Sequence, residues 1–147
     1  MGSSRITLSQ KGLSKRTSHG LGELFTARFY YDFSVDGGAI STITPKKTVM
    51  LPKNAVIVAG TLNSITALTS GGSATVAVGT DAGSSATALL AATAYTSFSS
   101  NALINAVPVF ATPVKLSAQG SITVTIATAT VTAGAIEGVF QYYVARG

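Results

Sequence analysis

Residues 25–35 read Phe-Thr-Ala-Arg-Phe-Tyr-Tyr-Asp-Phe-Ser-Val, and their alternation decides the fold class. Phe25, Ala27, Phe29, Tyr31, Phe33 and Val35 fall on one side of an extended chain. Thr26, Arg28, Tyr30, Asp32 and Ser34 fall on the other. A period of two is the signature of a half-buried strand, here with an aromatic inner face. The strand is expected to end at Asp36-Gly37-Gly38, a turn sequence. The same reading extends along the chain. Thr48–Leu51 is a short run stopped by Pro52-Lys53-Asn54, and Ala55–Thr66 is apolar on both sides, as in a strand covered on two faces. Ser70-Gly71-Gly72-Ser73 turns the chain into Ala74–Thr80, with Val76 and Val78 inward. Ala86–Ala94 reads as a strand or an irregular segment. Val107–Val109, Val114–Ser117, Ser121–Val131 and Ala135–Ala145 complete the set, the last with Ile136, Phe140, Tyr142 and Val144 on one face.

No amphipathic helix of ordinary length appears in the pattern. In a chain of 147 residues, short β-branched strands predict one all-β domain, a β-sandwich (jelly-roll-like) of about eight strands over residues 25–147. Residues 1–24 show neither period and read as an extended basic N-terminal arm. Arg5, Lys11, Lys15 and Arg16 lie in it with no acid before Glu23. The rest of the chain is close to neutral. Between Asn54 and Ala145 the only charged side chains are Asp81, Lys115 and Glu137.

Charged residues are 10% of the chain against about 25% in a typical soluble domain. Interface cores are depleted in charge, so this body is expected to be covered by copies of itself or by a partner. A monomer with a hydroxyl-rich surface is the competing reading. With no cysteine, disulfides, zinc-thiolate sites and thiol catalysis are excluded. No apolar run approaches the roughly 18 residues of a membrane span, and the N-terminus lacks the apolar core of a secretory signal.

Catalytic chemistry needs converging titratable groups, and none is legible. His19 stands in the arm without a carboxylate to orient it or a second metal ligand, so it reads as an arm residue. Glu23, Asp32, Asp36, Asp81 and Glu137 are isolated, and Asp36-Gly37-Gly38 and Asp81-Ala82-Gly83 are turn chemistry first. No cofactor or metal site is expected. The arm suits phosphates or an acidic protein surface. It carries no aromatic stacking residue, which disfavours nucleic acid. Each of the pairs Tyr30-Tyr31 and Tyr142-Tyr143 must turn one ring outward. Tyr30 and Tyr143 are the expected outward members and candidate interface anchors. Lys46, Lys47 and Lys53 bracket the Thr48–Leu51 run, where they extend the basic face of the arm or guard an edge strand.

Three segments carry a resemblance. Residues 29–43 (FYYDFSVDGGAISTI), 51–80 (LPKNAVIVAGTLNSITALTSGGSATVAVGT, followed by ALLAA at 88–92) and 121–144 (SITVTIATATVTAGAIEGVFQYYV) resemble small virion proteins of tailed bacteriophages. The likeness is one of strand-and-turn style over roughly residues 25–145, including paired C-terminal strands around a Thr-Ala-Gly turn. It implies a capsid decoration (cement) protein, typically a trimer at local threefold positions whose arms grip the major capsid protein. No catalytic residues carry over from that group. A tail or head-fibre module for host glycan adsorption is the alternative, since phages use similar β modules there.

Overall fold

A computed structural model describes residues 23–82, 86–106 and 113–147 of the chain. Its strands are β1 (Phe25–Asp32), β2 (Ser41–Ile43), β3 (Lys47–Thr48), β4 (Met50–Leu51), β5 (Ala55–Ser70), β6 (Thr75–Thr80), β7 (Leu90–Ala94), β8 (Ala102–Ala106), β9 (Val114–Lys115), β10 (Gly120–Ala127) and β11 (Val131–Val144). They form two antiparallel sheets. The larger runs β3-β1-β11-β5-β8, with β9 also on β5, and the smaller runs β2-β10-β6-β7, with β4 also on β10. The architecture is a β-sandwich, as the alternation predicts. Its core joins Ala27, Phe29, Tyr31, Ile57, Leu62, Ile136 and Phe140 of one sheet to Val76, Val78, Ile122, Val124 and Ile126 of the other.

The inner face of the large sheet is built on aromatic rings laid over glycines. Phe29 pairs with Gly138 on β11, and Phe140 pairs with Gly60 on β5. A Cβ added at Gly138 would collide with the edge of the Phe29 ring, and one at Gly60 with the edge of the Phe140 ring. The missing side chains let both rings lie flat against neighbouring backbone, where they stack at 6.1 Å between centroids.

Several expectations need correction. β1 ends at Asp32, not Val35, because Phe33–Asp36 closes one short helical turn. Asp32 caps that turn by accepting from the Ser34 N–H at 2.9 Å, while Asp36 accepts from the N–H groups of Asp32 and Lys46. Val35 is therefore exposed. The Thr48–Leu51 run is two strands, since β3 pairs with β1 in the large sheet and β4 with β10 in the small one. The Ser121–Val131 run breaks at Thr128, which takes a positive φ of 72°. Consequently β10 and β11 lie in different sheets and are not paired around residues 132–134, through which β11 runs. β5 continues four residues past Thr66, and Ile65 is exposed, so this strand is not covered on both faces along its length. β2 and β8 lack a readable alternation and were not expected. Val107–Val109 lies outside the described residues.

Tyr31 locks the turn after β1. Its hydroxyl donates to the Gly37 carbonyl at 2.6 Å. Burial, then the charges of Asp36 and Asp32, push its phenol up to about 12 from an ordinary 10.0. The fold thus holds the protonated ring. That contribution is complete below the unfolded value and is lost as pH rises through the folded one. Urea midpoints are expected to fall between pH 10.0 and about 12 in the wild type and to fall less steeply in Tyr31→Phe. At neutral pH the variant loses about 1 kcal/mol with its hydrogen bond. Parallel alkaline profiles would remove Tyr31 from this account.

Candidate interaction surface

The two sheets differ in what they offer outward. On the small sheet, outward-facing Ala77 and Thr123 are nearly inaccessible. On the large sheet the outward residues remain open: Thr26 and Arg28 of β1, Gln141 of β11, Thr61 and Ile65 of β5, Leu103 and Asn105 of β8. Leu103 is 72% exposed, the most of any large hydrophobic residue described. The open face is thus mostly uncharged, with one polar cluster at its β3-β1-β11 side.

In that cluster the register sets Lys47, Tyr30 and Glu137 side by side across three strands. The Lys47 ammonium lies 5.5 Å from the centroid of the Tyr30 ring, a cation–π contact. Arg28 donates from Nη1 to Glu137 Oε2 at 2.6 Å. The Arg28 side chain is 63% exposed, so this pair contributes about 0–1 kcal/mol. Partial desolvation raises the Tyr30 phenol above its ordinary range, helped by the charges of Asp32 and Glu137. The Asp32 carboxyl is lowered, chiefly by the Ser34 hydroxyl and N–H that donate to it. These groups border a shallow open hollow of about 340 Å³ lined by Arg28, Phe29, Tyr30, Lys47, Thr48, Val49 and Glu137.

The ionisable groups at the hollow are drawn into local contacts. Each carboxylate near it is engaged by a cation or by backbone N–H groups. Among the described residues no group of three or more His, Cys, Asp or Glu side chains is placed to hold a metal ion. No helix among them is long and apolar enough to cross a membrane.

The expected interface residues separate into two groups. Tyr30 and Lys47 meet at the hollow, and Lys46 follows nearby, its N–H bound to Asp36. Lys53 and half-buried Tyr143 lie instead toward the end where β5 starts and β11 finishes. Arg5, Lys11, Lys15, Arg16 and His19 lie outside the described residues. The Arg28–Glu137 pair was not legible, because its members are 109 positions apart and only the β1–β11 register joins them.

Comparison with solved structures places this architecture. One chain of the Cyanophage Pam1 capsid asymmetric unit superposes with a TM-score of 0.61 at 18% identity, covering 95% of this chain and 97% of that one. The fold is one found in phage capsids. A chain of the Ralstonia phage GP4 capsid gives a TM-score of 0.59 at 21% identity, with 90% and 91% covered. A chain of the acidic stable capsid of Helicobacter pylori bacteriophage KHP30 gives 0.58 at 12% identity, with 84% and 89% covered. No family model matches the sequence, and no curated protein matches it.

Proposed function

We propose that this protein is a structural component of a phage particle, a decoration (cement) protein on the outer surface of the head. The observation that carries the reading is the fold it shares, nearly end to end, with chains from three phage capsids. Coverage is high in both directions, so those chains are close to this one in length and the likeness is not to a fragment of a larger fold. The open, weakly charged outer face of the large sheet supports packing against other subunits. In this reading three copies associate and their basic arms, residues 1–24, reach across the major capsid protein. Several weak arm contacts, linked through one trimer, add to a high overall affinity. Binding only the assembled shell then stabilises it by mass action.

A glycan-adsorption module is less well supported. It calls for outward tyrosines gathered in a groove, and Tyr30 lines the hollow without Tyr143. Immunogold labelling of particles separates the two, with label over heads expected and label confined to tail tips overturning the decoration reading. Deletion of residues 1–22 tests the arm. The truncated body is expected to fold and to be absent from purified particles analysed by gel, whereas full occupancy would sink the arm's role. Raised ionic strength is expected to loosen the intact protein, because charge-based contacts are screened.

A further inference from the structure

The end strands of the two sheets are guarded unequally against pairing with other chains. The large sheet ends on β3 and β8, the small one on β2 and β7. β3 is two residues long, contains Lys47 and follows Pro45 and Lys46. β2 spans three residues, and β7 meets β6 through a register shift between Val76 and Val78. Short length, lysine, proline and bulges are the devices that keep a sheet edge from recruiting another strand. β8 has none of them. Its five residues, Ala-Leu-Ile-Asn-Ala, pair with β5 in unbroken register from Gly60↔Ala106 to Ser64↔Ala102. No strand among the described residues lies on its other side. Every second residue of β8 therefore turns its N–H and C=O away from the sheet. Leu103 and Asn105 point outward and are exposed, while Ile104 packs against the core yet is only half-buried. Exposed Ile65 stands on the same outer face as Leu103, two residues along β5 from Asn63, the partner of Leu103. None of residues 54–80 or 82–114 is Asp, Glu, Lys, Arg or His. The chain as a whole carries a formal charge of +5, so two copies meet least repulsion at this neutral edge.

We infer that β8 pairs with β8 of a second copy of this chain, antiparallel and about a twofold axis at Ile104, so that two large sheets become one. A strand that pairs antiparallel with its own copy makes an isologous, closed contact. The register centred on Ile104 uses the whole strand. Ala102 faces the partner's Ala106, Leu103 faces the partner's Asn105, and Ile104 faces its own copy. Each Leu103 then lies against the outer face of the joined sheet, and the two Ile104 side chains close the core at that edge. A second copy is favoured over a strand from another protein because it supplies an edge of the same length, the same register and the same neutrality. The inference goes beyond the decoration reading and does not depend on where on a particle the protein sits.

Sedimentation equilibrium on the full chain tests the contact. Leu103→Lys/Asn105→Lys is compared with the wild type and with Gln141→Lys, which charges the same outer face two strands from the edge. Circular dichroism is expected to match in all three, since the replaced side chains are exposed. The wild type is expected to reach twice the mass of the double variant. In that variant lysines oppose each other across the axis and weaken association about tenfold or more. Gln141→Lys is expected to keep the wild-type mass. Equal masses for the wild type and the double variant overturn the proposal. Loss of the doubled mass in Gln141→Lys makes the contact face-to-face and overturns the edge pairing. The register has its own readout, because the chain contains no cysteine. Directly opposed residues of antiparallel strands lie roughly 4.5–5.5 Å apart, within disulfide range. Oxidised Ile104→Cys is expected to run as a covalent dimer on a denaturing gel, and Gln141→Cys as a single chain. A single-chain Ile104→Cys overturns the twofold register. A wild type without the doubled mass, whose binding to stripped particles the double variant loses, would give the edge to a strand of the shell and overturn the second-copy assignment.

Discussion

Phe140→Ala is expected to destabilise the domain by about 3–5 kcal/mol, a large share of the roughly 5–15 kcal/mol that holds a domain of this size together. The ring is fully buried, lies over Gly60 and stacks on Phe29. Truncation removes its burial and leaves a cavity bounded by strands whose spacing is held by backbone hydrogen bonds, so collapse can recover little. The adjoining Gly60 has no side chain to move into the gap. Equilibrium urea unfolding followed by tyrosine fluorescence measures the effect. A loss below about 1 kcal/mol would mean that the core closes around the gap and that the ring-over-glycine packing is not what stabilises the sheet.

Gly138→Val should be nearly as damaging although it adds apolar volume. Its side chain would have to occupy space filled by the Phe29 ring, and that ring is itself pinned between β11 and Phe140. Relief requires Phe29 to leave its rotamer or β1 to separate from β11. Overpacking of this kind costs typically about 1–3 kcal/mol and more where backbone must shift. A chain with both Gly138→Val and Phe29→Ala is expected to recover part of the loss, since the second change vacates the space the first needs. Additive losses in this cycle, by the same urea unfolding, would show that the two positions are uncoupled and the clash is not the cause.

Much of the body was legible because a half-buried strand writes its burial into alternate residues. Phe25–Tyr31 alternates cleanly and is a strand with the expected inner face, and Val76 and Val78 of β6 point into the core as expected, although both faces of that strand are buried. Reading failed where another interaction outweighed the alternation. Phe33 and Val35 keep the period of two, yet the Asp32 and Asp36 carboxylates bind nearby N–H groups and turn the chain into a helical turn. Thr48–Leu51 reads as one strand because nothing in four residues records that its halves pair with different sheets. β8 went unread because its residues, Ala-Leu-Ile-Asn-Ala, do not alternate.

The candidate surface was less legible than the core. The outward position of Tyr30 followed from the burial of its neighbour, but its contact with Lys47 depends on a two-residue strand. The junction at Asn54 was hidden further, since Leu116 and Ala145 are distant in sequence and are joined only by their backbone hydrogen bonds to Asn54.

By itself the sequence determined the all-β class, the aromatic inner face of β1, the scarcity of charge in the body and the gathering of basic residues before Glu23. These are properties of composition and of neighbours along the chain, and side-chain period and charge are local quantities. Only the tertiary structure decided which strands share a sheet, why Gly60 and Gly138 are glycines and which sheet face stays open. Those follow from pairing between residues distant in sequence, where register, and not local pattern, sets what touches what.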